Sequence, residues 1–136
     1  MKRVCGDAYY FLALANPRDA GHRGALEFAR RWRGEVVTTR WILGEVADVL
    51  ASPVNRRLGV MLVEQVSRER RFRLIENSDA LFVRGFDLYR QRADKEWSLT
   101  DCISFVVMAD EGLTDALTND HHFEQAGFAA LLASPG

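Results

Sequence analysis

From Arg3 to Leu132 the chain alternates short apolar runs with amphipathic stretches at helical spacing. Residues 3–7 read as a buried strand ending in an acid, and residues 8–14 as a helix leaving it, closed by Asn16-Pro17. Gly6, a weak strand residue, marks a close backbone approach or a tight exit. Residues 20–33 are predicted helical, with Ala25, Phe28, Ala29 and Trp32 on one face, and Gly34 ends that helix. Glu35 to Thr38 is a second strand, and Thr39 can cap a helix over 40–51 with Ile42, Val46, Val49 and Leu50 as its buried stripe. After Ser52-Pro53 a helix over 54–67 offers Leu58, Met61, Leu62 and Val66.

The second half repeats the pattern. Residues 72–75 form a third strand. Ser78 caps a helix over 79–93 whose predicted buried positions are Leu81, Phe82, Phe86 and Tyr89. The next helix opens at Ser98 and stops near Gly112. From Cys102 to Ala109 only Ser104 is polar, so this helix is apolar nearly all round and belongs in the middle of the domain. Residues 116–118 are a fourth strand, 121–126 a short helix closed by Gly127, 128–132 a last strand and 133–136 a tail. Strands alternating with helices, without hairpin signals, predict an α/β domain with a central parallel sheet and helices on both faces. No repeat or linker divides the chain, and the 136 residues read as a single domain.

Ligands in such folds gather beyond the carboxyl ends of the strands, where the strand order reverses. Four acids come from that side. Asp7 and Asp120 follow strands directly, Asp101 opens the central helix, and Glu45 sits about two turns into the helix after the second strand. Each also has a local explanation. Asp7 and Asp120 are preferred N-cap residues, and Ser98-x-x-Asp101 fits a capping box. Glu45 lies at the edge of an apolar stripe, where a glutamate can snorkel to water. The His121-His122 pair is expected not to ligate one ion, because adjacent helical side chains point apart.

Composition narrows the class. Hydrophobic residues make up 48% of the chain and suffice for a core, and no apolar run reaches the roughly 18 residues of a membrane helix. Lys2-Arg3 with the run 9–15 mimics a signal peptide, but Asp7 interrupts the pattern and cleavage there would remove the first core strand. Cys5 and Cys102 form no C-x-x-C and read as buried thiols of a reducing, cytoplasmic protein. Net charge is -1, yet sixteen arginines stand against two lysines, a bias suited to ion pairs or phosphate.

Four segments then resemble one known family: Asp7 after a strand, Trp41-Ile42-Leu43-Gly44-Glu45-Val46, Trp97-Ser98-Leu99-Thr100-Asp101-Cys102, and Leu117-Thr118-Asn119-Asp120-His121-His122-Phe123. Together they resemble the PIN domain, in particular its VapC-type toxin branch, over residues 4–128. The resemblance implies a three-layer α/β/α sandwich and a magnesium- or manganese-dependent endoribonuclease whose acids correspond to Asp7, Glu45, Asp101 and Asp120. It also implies an RNA substrate, a cognate antitoxin and a homodimer. The family commonly carries hydroxyl residues just after the first acid, where this chain has Ala8 and Tyr9.

The chemistry suits the acids independently of the family. Hard divalent cations take oxygen ligands, and magnesium takes only a few carboxylates while keeping waters. Asp7 and Asp101 are the expected direct ligands. Asp120 and Glu45 bind directly or through water, with Glu45 available to orient or deprotonate the nucleophile. Ser98, Thr100 and Thr118 are candidate supporting hydroxyls. Apolar helix faces around Trp32, Trp41 and Met61 are expected to take a protein partner. One alternative stays open, a PIN-fold scaffold or protein-binding module without catalysis. A phosphoacceptor domain is disfavoured, because it wants a lysine late in the chain and the lysines here are Lys2 and Lys95.

Overall fold

The computed structural model describes residues 2–133. Of the tail expected over 133–136, all but Ala133 lies outside the described residues. Five strands, β1 (Arg3–Gly6), β2 (Glu35–Thr38), β3 (Phe72–Leu74), β4 (Asp115–Leu117) and β5 (Ala129–Ala130), form one sheet in the order β3-β2-β1-β4-β5. Every pairing is parallel. Successive residues of a strand point to opposite faces, and this sheet is apolar on both. Val4, Val36 and Leu117 enter one core, while Cys5, Val37 and Ala116 enter the other.

On the first face pack α1 (Ala8–Ala15), α2 (His22–Arg31), α3 (Arg40–Val49) and α4 (Arg56–Arg68), around Phe11, Phe28, Ile42, Val46 and Leu62. On the second lie α5 (Asp79–Gln91), α6 (Leu99–Glu111) and α7 (His121–Gln125), around Ile103, Phe105, Met108 and Phe123. The result is the expected three-layer α/β/α sandwich. A methyl group on Gly6 would come within 2.7 Å of Val36 Cγ1, so the close approach expected there is real.

Expected caps form at α3 and α5, where Thr39 accepts from the Ile42 amide and Ser78 from the Leu81 amide. Helix α6 is the most buried, with Cys102, Ile103, Ser104, Phe105, Val107 and Met108 all in the core. Other expected core positions move outward. On α5 only Leu81 of the predicted four is buried, whereas Phe82, Phe86 and Tyr89 are 42%, 40% and 48% exposed. The buried stripe instead runs through Leu81 and Gly85, where the absent side chain lets α5 lie against Ile103 of α6. On α3 Val49 is exposed because the helix ends there, and Leu43 takes its place in the core. Met61 is likewise exposed on α4.

Candidate active site

Strand β1 is the switch point of the sheet, because the chain moves outward to β2 and β3 on one side and returns to β4 on the other. Two acids follow the flanking strands of that crevice, Asp7 after β1 and Asp120 just beyond β4. Glu45 reaches the crevice from α3 and Asp101 from the first turn of α6. All four line one open cleft of about 570 Å³, together with Tyr9, Glu96, Ser98, Thr118, His121 and His122. Among the described residues neither lysine nor arginine lines it.

Asp7 occupies the N-cap position of α1 but its side chain does not cap the helix. It is buried and accepts a hydrogen bond of 2.8 Å from the Thr118 hydroxyl. The same Thr118 oxygen accepts from the Asp120 amide at 3.1 Å, so one buried threonine holds both acids. This supplies the supporting hydroxyl that Ala8 and Tyr9 do not. Asp101 does cap: its amide donates to Ser98 Oγ at 3.0 Å, and its Oδ2 accepts from the Ser98 amide at 3.2 Å. Asp120 caps α7 by accepting from the His122 amide at 2.9 Å. Capping and cleft membership therefore coexist. A carboxylate has two oxygens with about four lone-pair sites, and a cap uses only part of that capacity.

Electrostatics mark the cleft as short of positive charge. Burial pushes the Asp7 carboxyl up to about 6, against the pull of Thr118 and the Ala8 amide, with Asp101 and Asp120 adding repulsion. Glu45 is pushed up to about 7, first by burial and then by Asp7 and Asp101, with the Thr100 hydroxyl acting the other way. Asp101 is also raised, chiefly by burial, although the Ser98 amide and His122 pull it down. Desolvated carboxylates facing one another favour protonation unless a cation joins them. The carboxylate oxygens around a cleft lined by no lysine or arginine among the described residues fit a hard divalent cation, and Asp7, Glu45, Asp101 and Asp120 could hold it.

The sequence singled out the His121-His122 pair but gave it no place beside the acids. His122 Nδ1 lies 3.3 Å from Asp101 Oδ2 and 3.4 Å from Asp120 Oδ1, while His121 Nδ1 lies 3.7 Å from Asp120 Oδ1. The expectation that the two histidines point apart is corrected here, since their ring centroids are 4.5 Å apart. Both stand in the first turn of a five-residue helix, and their long side chains fold back toward the cap despite the rotation between their Cα atoms. The Asp120 cap position was the signal that could have shown it, because a cap brings its carboxylate back over the first turn. Glu96, exposed at the cleft edge, was also missed.

A parallel α/β/α sheet with carboxylates from four elements at its switch point is a PIN-like fold. No family model matches the chain. It is 28% identical over 131 residues to the 23S rRNA-specific endonuclease VapC20 of Mycobacterium tuberculosis, covering 92% of this chain and 95% of that protein. The crystal structure of VapC20, a sarcin–ricin loop cleaving toxin, superposes with a TM-score of 0.85 at 25% identity over 93% of this chain and 96% of that one. FitAcB from Neisseria gonorrhoeae, at a TM-score of 0.62 and 14% identity over 93% and 94% of the two chains, shares the fold. Sequence and structural likeness together support a VapC-type PIN-domain ribonuclease.

Proposed function

We propose that the chain is a metal-dependent endoribonuclease acting as the toxin of a toxin–antitoxin pair, with Asp7, Glu45, Asp101 and Asp120 as its site. The observation that carries this reading is the convergence of the four acids on one cleft at the switch point, in a fold that matches VapC20 along nearly its whole length. Asp7 and Asp101, with Asp120 and Glu45 direct or through water, would hold magnesium or manganese, which would supply charge stabilisation at the reacting phosphate and an activated water. The chain's own groups do the positioning. Thr118 fixes Asp7, the Ser98 cap fixes Asp101, and the capped amide of His122 fixes Asp120. Glu45, which reaches the same cleft from α3, is placed to orient or deprotonate the attacking water. RNA is the substrate class, and the ribosomal RNA cut by VapC20 is the first substrate to test.

Two protein surfaces accompany this reading. An apolar groove of about 420 Å³ between α2 and α4, lined by Leu26, Leu58 and the exposed Met61, suits an amphipathic segment of an antitoxin. The exposed face of α5, where Phe86 and Tyr89 stack at 6.1 Å, suits a second copy of the chain. The buried thiols Cys5 and Cys102 fit the reducing cytoplasm. Among the described residues no helix is long and apolar enough to cross a membrane.

The test is direct. Purified protein should cleave RNA with magnesium or manganese, stop with chelator, and lose activity as Asp101→Asn with its fold intact. Co-expression with the product of the neighbouring small reading frame should suppress the activity and yield a complex. Equal cleavage in chelator would reject the metal-dependent mechanism. A folded, metal-loaded protein inert on all RNA would favour the non-catalytic scaffold.

A further inference from the structure

The end of the cleft built by α7 differs in chemistry from the rest, because it adds nitrogen donors to oxygen. One donor atom from each of Asp120, His121 and His122 lies within 4.8 Å of the others. Within the group Asp120 Oδ1 lies 3.4 Å from His122 Nδ1 and 3.7 Å from His121 Nδ1, while His122 Nδ1 is also in hydrogen-bond contact with Asp101 Oδ2 at 3.3 Å. Both Asp120 separations exceed the about 2.7–2.9 Å of a charge-assisted N–H···O⁻ bond. They agree with a different spacing. Ligands about 2.0–2.1 Å from a tetrahedral ion stand roughly 3.4 Å from one another. The side chains are also held in place: the His122 amide donates to Asp120 Oδ1, and the Ser98 cap fixes Asp101.

We propose that Asp120, His121 and His122 form a three-ligand site for a zinc-class cation inside the cleft, with water completing its coordination. An all-oxygen set suits magnesium or manganese, whereas two imidazoles with one carboxylate favour zinc, which binds nitrogen ligands more strongly than manganese does. The site draws on α7 and its cap and leaves Asp7, Glu45 and Asp101 outside. Zinc there takes one of the four acids proposed for cleavage, so it competes with magnesium and inhibits the enzyme. The inhibitory consequence rests on the nuclease reading; the binding site does not.

The experiment is a calorimetric titration of the full chain with zinc alone, at neutral pH and in excess magnesium, repeated on three variants. Wild type should take one zinc ion. The His121→Ala variant should weaken zinc by at least about tenfold, the lower bound for losing even an outer-shell partner of a metal site. The His121→Ala/His122→Ala variant should weaken it further, and Asp7→Asn should retain it. Because the His121 side chain is 71% exposed, its truncation leaves folding intact and keeps the test sound if the double variant misfolds. Cobalt substitution adds a second readout, since a four-coordinate ion gives intense visible bands that both histidine variants should lose. Equal zinc affinity in wild type and His121→Ala would overturn the proposal. Loss of zinc on Asp7→Asn with retention in the histidine variants would also overturn it. Magnesium-dependent cleavage with unchanged zinc affinity in the histidine variants rejects this site alone. Zinc binding as expected in a chain that cuts no RNA rejects only the nuclease reading.

Discussion

Thr118 is fully buried, yet its hydroxyl oxygen stands between two cleft acids, donating to Asp7 and accepting from the Asp120 backbone. Valine at this position keeps the shape and removes both bonds. The Asp7 carboxylate then loses its hydroxyl donor inside the fold, and its pKa should climb above the present value of about 6. Partners that orient metal-bound carboxylates are worth about 10–100-fold in affinity. Thr118→Val should therefore weaken manganese by that order in a direct titration, and unchanged affinity would leave Thr118 a purely structural residue. The sequence made Thr118 only a weak candidate, because a lone threonine after a strand carries no pattern. Asp101 was legible from Ser98-x-x-Asp101, but that spacing could not say that cap and cleft share one side chain. His122 was hidden because adjacency on an ideal helix argues against it, and only the fold-back of a short first turn brings its ring to Asp101.

At the level of elements, α5 separates what periodicity can and cannot tell. Its apolar residues fall on two neighbouring stripes, Leu81 with Gly85 and Phe82 with Phe86 and Tyr89, and both have helical spacing. The larger, aromatic stripe looks like the core. Packing chose the other, since Gly85 allows α5 to approach α6 more closely than any aromatic could. A methyl group at Gly85 would press on the side chain of Ile103 and lie 3.1 Å from its Cα, which is backbone and cannot step aside. Overpacking of this kind costs about 1–3 kcal/mol, offset by at most about 1 kcal/mol of better helix propensity. Gly85→Ala should thus be destabilised in denaturant melts, while Phe86→Arg, changing a 40% exposed ring, should keep its stability and lose self-association in sedimentation. A stabilised Gly85→Ala would mean that α5 and α6 are not packed this closely. The remaining helices and strands were legible to within a few residues, because caps such as Thr39 and Ser78 and stops such as Gly112 and Gly127 declare themselves chemically.

Over the whole molecule, one consequence of gathering four acids at the switch point is a stability that depends on pH and metal together. Asp7 is buried, and its carboxyl rises from the ordinary 3.8 to about 6, while Glu45 rises from 4.5 to about 7. Raised carboxyls bind more protons in the folded than in the unfolded chain. Stability must therefore fall as pH rises, with the penalty absent below about 4 and complete above about 7. For Asp7 alone the span corresponds to about 3 kcal/mol. The exposed pairs of Asp94 with Arg92 and Asp110 with Arg84 act oppositely, lowering their carboxyls, but at still lower pH. In chelator the melting temperature should peak in mildly acidic solution and decline toward neutrality. Manganese should reverse the decline, because a cation bound by the proposed cluster replaces the proton as the partner of the carboxylates. At about 100 times its dissociation constant it should stabilise the wild type by roughly 2.7 kcal/mol at neutral pH. Asp101→Asn keeps an oxygen for the Ser98 cap and removes one charge, so it should lose little stability in chelator and gain clearly less from manganese. Thermal melts of both proteins across pH, with and without manganese, read all of this at once. A metal-free stability that rises toward neutral pH would contradict the buried cluster, and identical manganese shifts in the two proteins would remove Asp101 from the ligand set.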